Sequence, residues 1–93
     1  MSKNNRQFPR QEIQIEVELH FLEDEPRKTI TRDLSQGGLF LLLNNSAYYT
    51  MGEMISLNFK NPLEDYENTD KDAIIVRQTD DGIAVAFIEI EDF

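Results

Sequence analysis

Two short clusters of polar residues have the types and spacing needed to bind a small anionic molecule. Arg6 and Arg10 stand four residues apart, shortly before the first alternating apolar segment. Asp33 and Ser35 stand two apart, so an extended backbone places both side chains on one face and Leu34 on the other. An arginine offers a planar fork of donors to phosphate, whereas a carboxylate accepts from N–H groups. From the residues alone, surface ion pairs and a polar hairpin turn remain open as alternatives.

Two glycines, Gly37 and Gly38, follow the second cluster. Glycine adopts positive φ without strain and lets a ligand approach the backbone closely. We therefore expect them either to leave room for a ligand or to serve only as the turn between two strands.

Short β-strands must position both clusters. Residues 12–22 alternate apolar and polar side chains, which is typical of a half-buried strand. Strands are predicted at residues 12–22, 27–34, 39–43, 53–60, 72–78 and 83–90. Residues 61–71 are polar with no periodic apolar face and are predicted to be a flexible loop. Six short strands joined mostly by turns predict an all-β antiparallel barrel or sandwich with little helix.

Tyr48, Tyr49 and Met51 lie in the connection after the third predicted strand, and we expect this connection to pack against the core.

The charge is unevenly distributed along the 93 residues. The chain has 18 acidic and 9 basic residues, for a net charge of −9. Residues 1–11 hold three of the bases and no acid, which leaves a charge of −12 on residues 12–93. We therefore expect a flexible basic arm, residues 1–11, on an acidic barrel domain, residues 12–93. This balance disfavours DNA or RNA as a partner, because such binding needs a basic face.

The composition also excludes several kinds of site. There is no cysteine and His20 is the single histidine, which excludes thiolate chemistry and a multi-histidine metal site. No apolar run approaches the length of a membrane span, and residues 1–12 contain no apolar core of a secretion signal. We expect a cytoplasmic protein that does not insert into a membrane.

Together, the two clusters resemble the signature of the PilZ domain, the bacterial cyclic di-GMP receptor. The family pattern is Arg-x-x-x-Arg on an N-terminal arm, followed by Asp/Asn-x-Ser-x-x-Gly on a six-stranded antiparallel barrel. Here Arg6 and Arg10 match the first motif, and Asp33, Ser35 and Gly38 match the second. Residues 75–77 and 82–87 also resemble the closing hairpin of the family.

The resemblance implies a nucleotide-binding second-messenger receptor and no catalytic activity, cofactor or metal. Its ligand is cyclic di-GMP, and the implied binding residues are Arg6, Arg10, Asp33, Ser35, Gly37 and Gly38. The arm would fold over the barrel when the ligand binds, and an unidentified protein partner would detect that change.

The sequence departs from the family at two places. Asn5 stands where many members carry another basic residue, which leaves open whether one or two ligands bind. The chain ends at Phe93, so we expect no C-terminal helix after the last strand. Arg77 is a further basic residue that the predicted site does not include.

Three other functions compete with this interpretation. The first is a PilZ-like protein-interaction module that does not bind nucleotide. The second, a binder of single-stranded nucleic acid, is disfavoured by the acidic body, because such barrels use a basic groove with exposed aromatics. The third, an enzyme, is disfavoured because Asp33 and Ser35 have no histidine available to complete a nucleophilic triad.

Overall fold

The computed structural model describes residues 12–21 and 23–88, and its regular elements are six β-strands and two short 3-10 helices. The strands are β1 (Glu16–His20), β2 (Arg27–Leu34), β3 (Gly38–Leu42), β4 (Met54–Asn61), β5 (Glu67–Thr79) and β6 (Gly82–Phe87). The 3-10 helices are Ser46–Tyr48 and Pro62–Glu64. The predicted all-β fold is confirmed.

The six strands close into one antiparallel barrel in the order β1-β2-β3-β6-β5-β4. Two three-stranded meanders, β1-β2-β3 and β4-β5-β6, are joined where β3 pairs with β6 and where β1 pairs with β4. Residues 43–53 connect the two meanders. Closure pairs both sides of every strand, so the barrel presents no long open edge to another chain.

Alternating side chains of the strands fill the barrel interior. The buried core includes Val17, Leu19, Leu34, Leu39, Leu41, Ile55, Leu57, Phe59, Ile75, Ile83 and Val85. Each side chain of this size stabilises the fold by about 1.5–3 kcal/mol when it leaves water. The strand periodicity seen in the sequence therefore corresponds to a real inner face.

Most strand positions agree with the sequence prediction, and the main differences lie at the start of β1 and in residues 61–71. β2 spans the predicted residues 27–34, whereas β1 begins only at Glu16. The predicted loop 61–71 is wrong over its second half, because β5 begins at Glu67 and pairs there with Asn61 of β4. This part of β5 is polar on both faces, so pairing with β4 defines it rather than any apolar alternation.

The connection between the meanders packs on the core only in part. Tyr49 is buried, and its ring centroid lies 4.9 Å from that of Phe21. Tyr48 and Met51 are about half exposed or more. The expectation of packing is confirmed for Tyr49 and is wrong for Met51.

Within residues 12–21 and 23–88, no helix is long and apolar enough to cross a membrane. In the same part of the chain, no group of three or more histidine, aspartate or glutamate side chains could hold a metal ion.

Candidate functional site

The four predicted site residues of the barrel lie at one corner. Asp33 is near the end of β2, Ser35 and Gly37 form the turn, and Gly38 begins β3. The predicted arm, with Arg6 and Arg10, lies outside the described residues.

A β-bulge shapes this corner. Thr31 of β2 pairs with Leu41 of β3, and Asp33 pairs with Phe40, so Arg32 is an extra residue with no partner of its own. Thr31 points into the barrel and is fully buried. The inserted residue allows both Arg32 and Asp33 to lie on the outer face. Bulges commonly re-aim a side chain in this way.

Asp33 is held by its neighbour on the bulge. Arg32 Nε donates a hydrogen bond to Asp33 Oδ2 over 3.2 Å, and the Asp33 side chain is only 9% exposed. The Arg32 guanidinium carbon lies 3.9 Å from the centroid of the Phe40 ring. This cation–π contact places the guanidinium over Phe40 on the outside of the barrel, and the hydrogen bond from Nε holds the Asp33 carboxylate beside it.

Ser35 closes the turn instead of continuing the strand. Its backbone N–H donates to the carbonyl oxygen of Gly38 over 2.9 Å. Its Oγ accepts from the N–H of Gly37 over 3.2 Å and donates to the same Gly38 oxygen over 3.3 Å. The expectation that Asp33 and Leu34 face opposite ways is confirmed, because Leu34 lies in the core. Ser35 has left the extended strand, so the strand argument does not place its side chain.

Gly38 is required by the neighbouring strand. A Cβ atom at this position would collide with the carbonyl oxygen of Val85 and lie 3.2 Å from the Cα of Ala86. Positive φ is not the reason, since the one glycine in the described chain with positive φ is Gly52. Gly37 and Gly38 therefore do not use the positive φ that glycine allows, and the close approach at Gly38 is that of β6.

The first described residues of the chain, which lead into β1, bond to the barrel beside this corner. Thr31 Oγ1 donates to the carbonyl oxygen of Ile13 over 2.6 Å and accepts from the N–H of Ile15 over 3.0 Å. The N–H of Thr31 also donates to the carbonyl oxygen of Ile15 over 3.0 Å. The chain that leads to the two motif arginines thus joins the barrel two residues from Asp33.

A cleft of about 360 Å³ opens next to the turn. Ser35 and Gly37 form one wall, and Asn61, Lys71 and Phe87 form others. The ammonium of Lys71 lies 5.5 Å from the centroid of the Phe87 ring. A cleft of this size can accept a small planar group, with polar side chains at its rim.

A second bulge lies on the same outer row of the barrel. Ile75 of β5 pairs with Val85, and Arg77 pairs with Ala84, so Val76 is the extra residue. Val76 and Arg77 are both exposed. Arg77 was outside the predicted site, and sequence alone could not assign it a direction because the inserted residue breaks the alternation.

The complete row contains Asp33, Phe40, Ala84 and Arg77 on four adjacent strands. Phe40 and Ala84 are buried on this outer face. Arg32 and Arg77 lie at the two ends of this uncharged surface. No sequence pattern indicates that these two arginines share one surface.

The comparisons with known proteins agree with this architecture. The model of the PilZ domain family matches residues 4–92. Among solved structures, the chain is similar to one described as the Bacillus subtilis inhibitor of motility (MotI/DgrA), with a TM-score of 0.76 and 20% identity. That similarity covers 96% of this chain and 44% of the other, so this chain spans less than half of that protein. No curated protein matches the sequence. The match to the family model over nearly the whole chain shows that this protein belongs to the PilZ domain family.

Proposed function

We propose that this PilZ domain binds cyclic di-GMP in the bacterial cytoplasm and transmits the binding event to a protein partner. The observation that carries the proposal is that the backbone of Ile13 and Ile15 bonds to Thr31, two residues from Asp33. This attachment brings the two motifs within reach of each other. A fully extended chain lets the Cα of Arg10 lie at most about 11 Å from that of Ile13, and the Cα of Arg6 about 25 Å.

The chemistry of the residues fits this ligand. Cyclic di-GMP has two phosphates and two guanines, and arginine binds phosphate through paired, charge-assisted hydrogen bonds. Arginine also pairs with guanine O6 and N7. The Asp33 carboxylate accepts from the N1–H and amino group of guanine. Binding orders the arm over the barrel, so several charge-assisted contacts together must outweigh the entropy lost.

Isothermal titration calorimetry with cyclic di-GMP tests the proposal, with GTP as the control nucleotide. We expect saturable binding that GTP does not reproduce, and the stoichiometry decides between one and two ligands. Arg6→Ala and Arg10→Ala should each lose about 1.5–3 kcal/mol of binding free energy, because each removes charge-assisted hydrogen bonds. Unchanged binding in both variants would show that the N-terminal arm does not hold the ligand.

Salt dependence gives a second readout. Salt screens the attraction between the ligand and the arginines, and it also screens the repulsion from the acidic body. These effects oppose each other, so we expect a shallow dependence of affinity on salt. A steep loss between low and physiological salt would contradict this expectation.

One observation favours a second function, a protein-interaction module that binds no nucleotide. Asp33 is already bonded to Arg32, and Ser35 already closes its own turn. Both residues therefore have a structural role without a ligand. The absence of binding heat, together with unchanged NMR chemical shifts at Asp33, would support this alternative.

A further inference from the structure

We propose that Arg32 and Arg77, which belong to neither motif, form a second basic contact for the cyclic dinucleotide on the barrel wall. The two β-bulges of the barrel lie at opposite ends of one cross-strand row, and each bulge is next to one of these arginines. Because this inference rests on the proposed nucleotide binding, its test must separate the failure of one from the failure of the other.

The geometry of the row suits a flat molecule with two anionic groups. Three strand spacings separate β2 from β5, so the two arginine backbones are about 14 Å apart along the sheet. Between them lie Phe40 and Ala84, and neither β3 nor β6 contributes a charged residue. The wall between the arginines is therefore neutral.

Arg32 presents a planar surface. Its guanidinium lies over Phe40, and the bond from Nε to Asp33 holds it there. Its side chain is 48% exposed, so the face away from Phe40 is accessible. A purine can stack on that face, giving an ordered stack of phenyl ring, guanidinium and base. The same contact orients Asp33 toward the edge of a base.

Arg77 supplies the opposite end of the row. It is exposed, and its side chain makes no hydrogen bond or ion pair with the residues that the structure describes. Its neighbour across the sheet is Ala84, which cannot satisfy a guanidinium. An arginine in this position is available to a phosphate or to the O6 and N7 atoms of guanine.

Gly82 leaves room for the Phe40 ring beside β6. A Cβ at this position would lie 3.0 Å from Cε1 of Phe40 and would collide with the carbonyl oxygen of Leu41. Glycine therefore lets the edge of the Phe40 ring approach β6 closely, and the Arg32 guanidinium lies over this ring.

Titration calorimetry with cyclic di-GMP tests the inference on the full chain and on four variants. Arg77→Ala removes the charge, and we expect about tenfold weaker binding, as for loss of a charge-assisted hydrogen bond. Arg77→Lys should recover only part of this loss, because lysine keeps the charge but not the planar fork. Arg32→Lys keeps the charge but removes the planar face, and we expect about fivefold weaker binding. Lys60→Ala, on β4 and away from the row, is the matched control and should stay within about twofold of the parent.

Thermal unfolding of each variant excludes loss of folding as the cause. Arg77→Ala removes an exposed side chain without a partner in the described chain, so it keeps the test valid even if Arg32→Lys is destabilised. In NMR spectra, the amides of Phe40 and Ala84 should shift on ligand addition, whereas that of Asn58 on the opposite side should not.

The outcomes are distinguishable. Binding by the parent with unchanged affinity in Arg77→Ala or Arg32→Lys would overturn the second basic contact and leave the proposed function intact. A parent protein that does not bind cyclic di-GMP would overturn both. Loss in both variants with an unaffected control would support the inference.

Discussion

The two halves of the barrel wall differ in charge and in regularity. On one side, β1 and β4 and the first part of β5 pair in unbroken register and present Glu16, Glu18, Asp70 and Asp72 outward. On the other side, β2, β3, β6 and the end of β5 contain both bulges, and two arginines flank an uncharged centre. The register therefore breaks only on the half that carries the motif corner.

The difference shows that the two halves of a single sheet can serve different purposes, since only the bulged half carries the motif corner. The regular half satisfies its acidic side chains locally: Asn58 Nδ2 donates to Asp70 Oδ1 over 2.5 Å, and Ser56 Oγ donates to Asp72 Oδ1 over 3.1 Å. The bulged half loses regular pairing at two residues and presents two outward arginines, Arg32 beside Asp33 and Arg77 at the other end of the row. Four substitution experiments test this contrast.

The largest effect is expected from Gly38→Ala. The new methyl group would collide with the backbone of β6, so β3 and β6 must separate at the site corner. We expect a loss of about 3 kcal/mol in the free energy of unfolding, measured with urea. Gly52→Ala is the control, because its positive φ of 92° is strained but no atom lies within 4 Å of the added group. That variant should lose only about 1 kcal/mol. Equal losses would mean that contact with β6 does not explain Gly38.

Thr31→Val should have the next largest effect. The change keeps the shape but removes the hydroxyl that bonds to Ile13 and Ile15. We expect a loss of about 1–2 kcal/mol in unfolding free energy. Thr69→Val is the control, since its hydroxyl bonds to Glu67 on the same strand at an exposed place, and it should change stability little. If cyclic di-GMP binds as proposed, Thr31→Val should also weaken binding, because the arm loses its attachment beside Asp33.

Neutralising the regular half should have a smaller effect. The double variant Asp70→Asn, Asp72→Asn lowers the repulsion that the acidic side exerts on an anion. At low salt we expect up to about twofold tighter binding of cyclic di-GMP, and no change at physiological salt, where screening is strong. A large change in affinity would show that the acidic half lies within the binding surface and would contradict the contrast between the two halves.

The smallest effect concerns Tyr48, whose O–H donates to Asp24 Oδ2 over 2.7 Å. This hydrogen bond, reinforced by the carboxylate charge, raises the pKa of Tyr48 above the usual value for a tyrosine. The contribution of this bond to stability is complete below the unfolded-state pKa and is lost as pH rises through the higher folded-state pKa. Asp24→Asn should lower the pKa of Tyr48, as followed by NMR of its ring. An unchanged value would rule out Asp24 as the cause.

Much of the fold could be predicted because strand periodicity is local. β2 coincides with residues 27–34, and Asp33 and Leu34 face opposite ways as expected. The polar start of β5 could not be predicted, since no apolar alternation marks a strand that is exposed on both faces. Its pairing partner in β4 is the only physical reason for its extended form.

Residue order was enough to predict the presence of six strands, the acidic body and the positions of the two motifs, because alternation, charge and spacing are local properties. The roles of Gly38 and Arg32, in contrast, depend on contacts between strands. Gly38 is a glycine because β6 passes close by, and Arg32 faces outward over Phe40 because β2 bulges against β3. Both effects arise from contacts between strands distant in sequence, which no local pattern encodes.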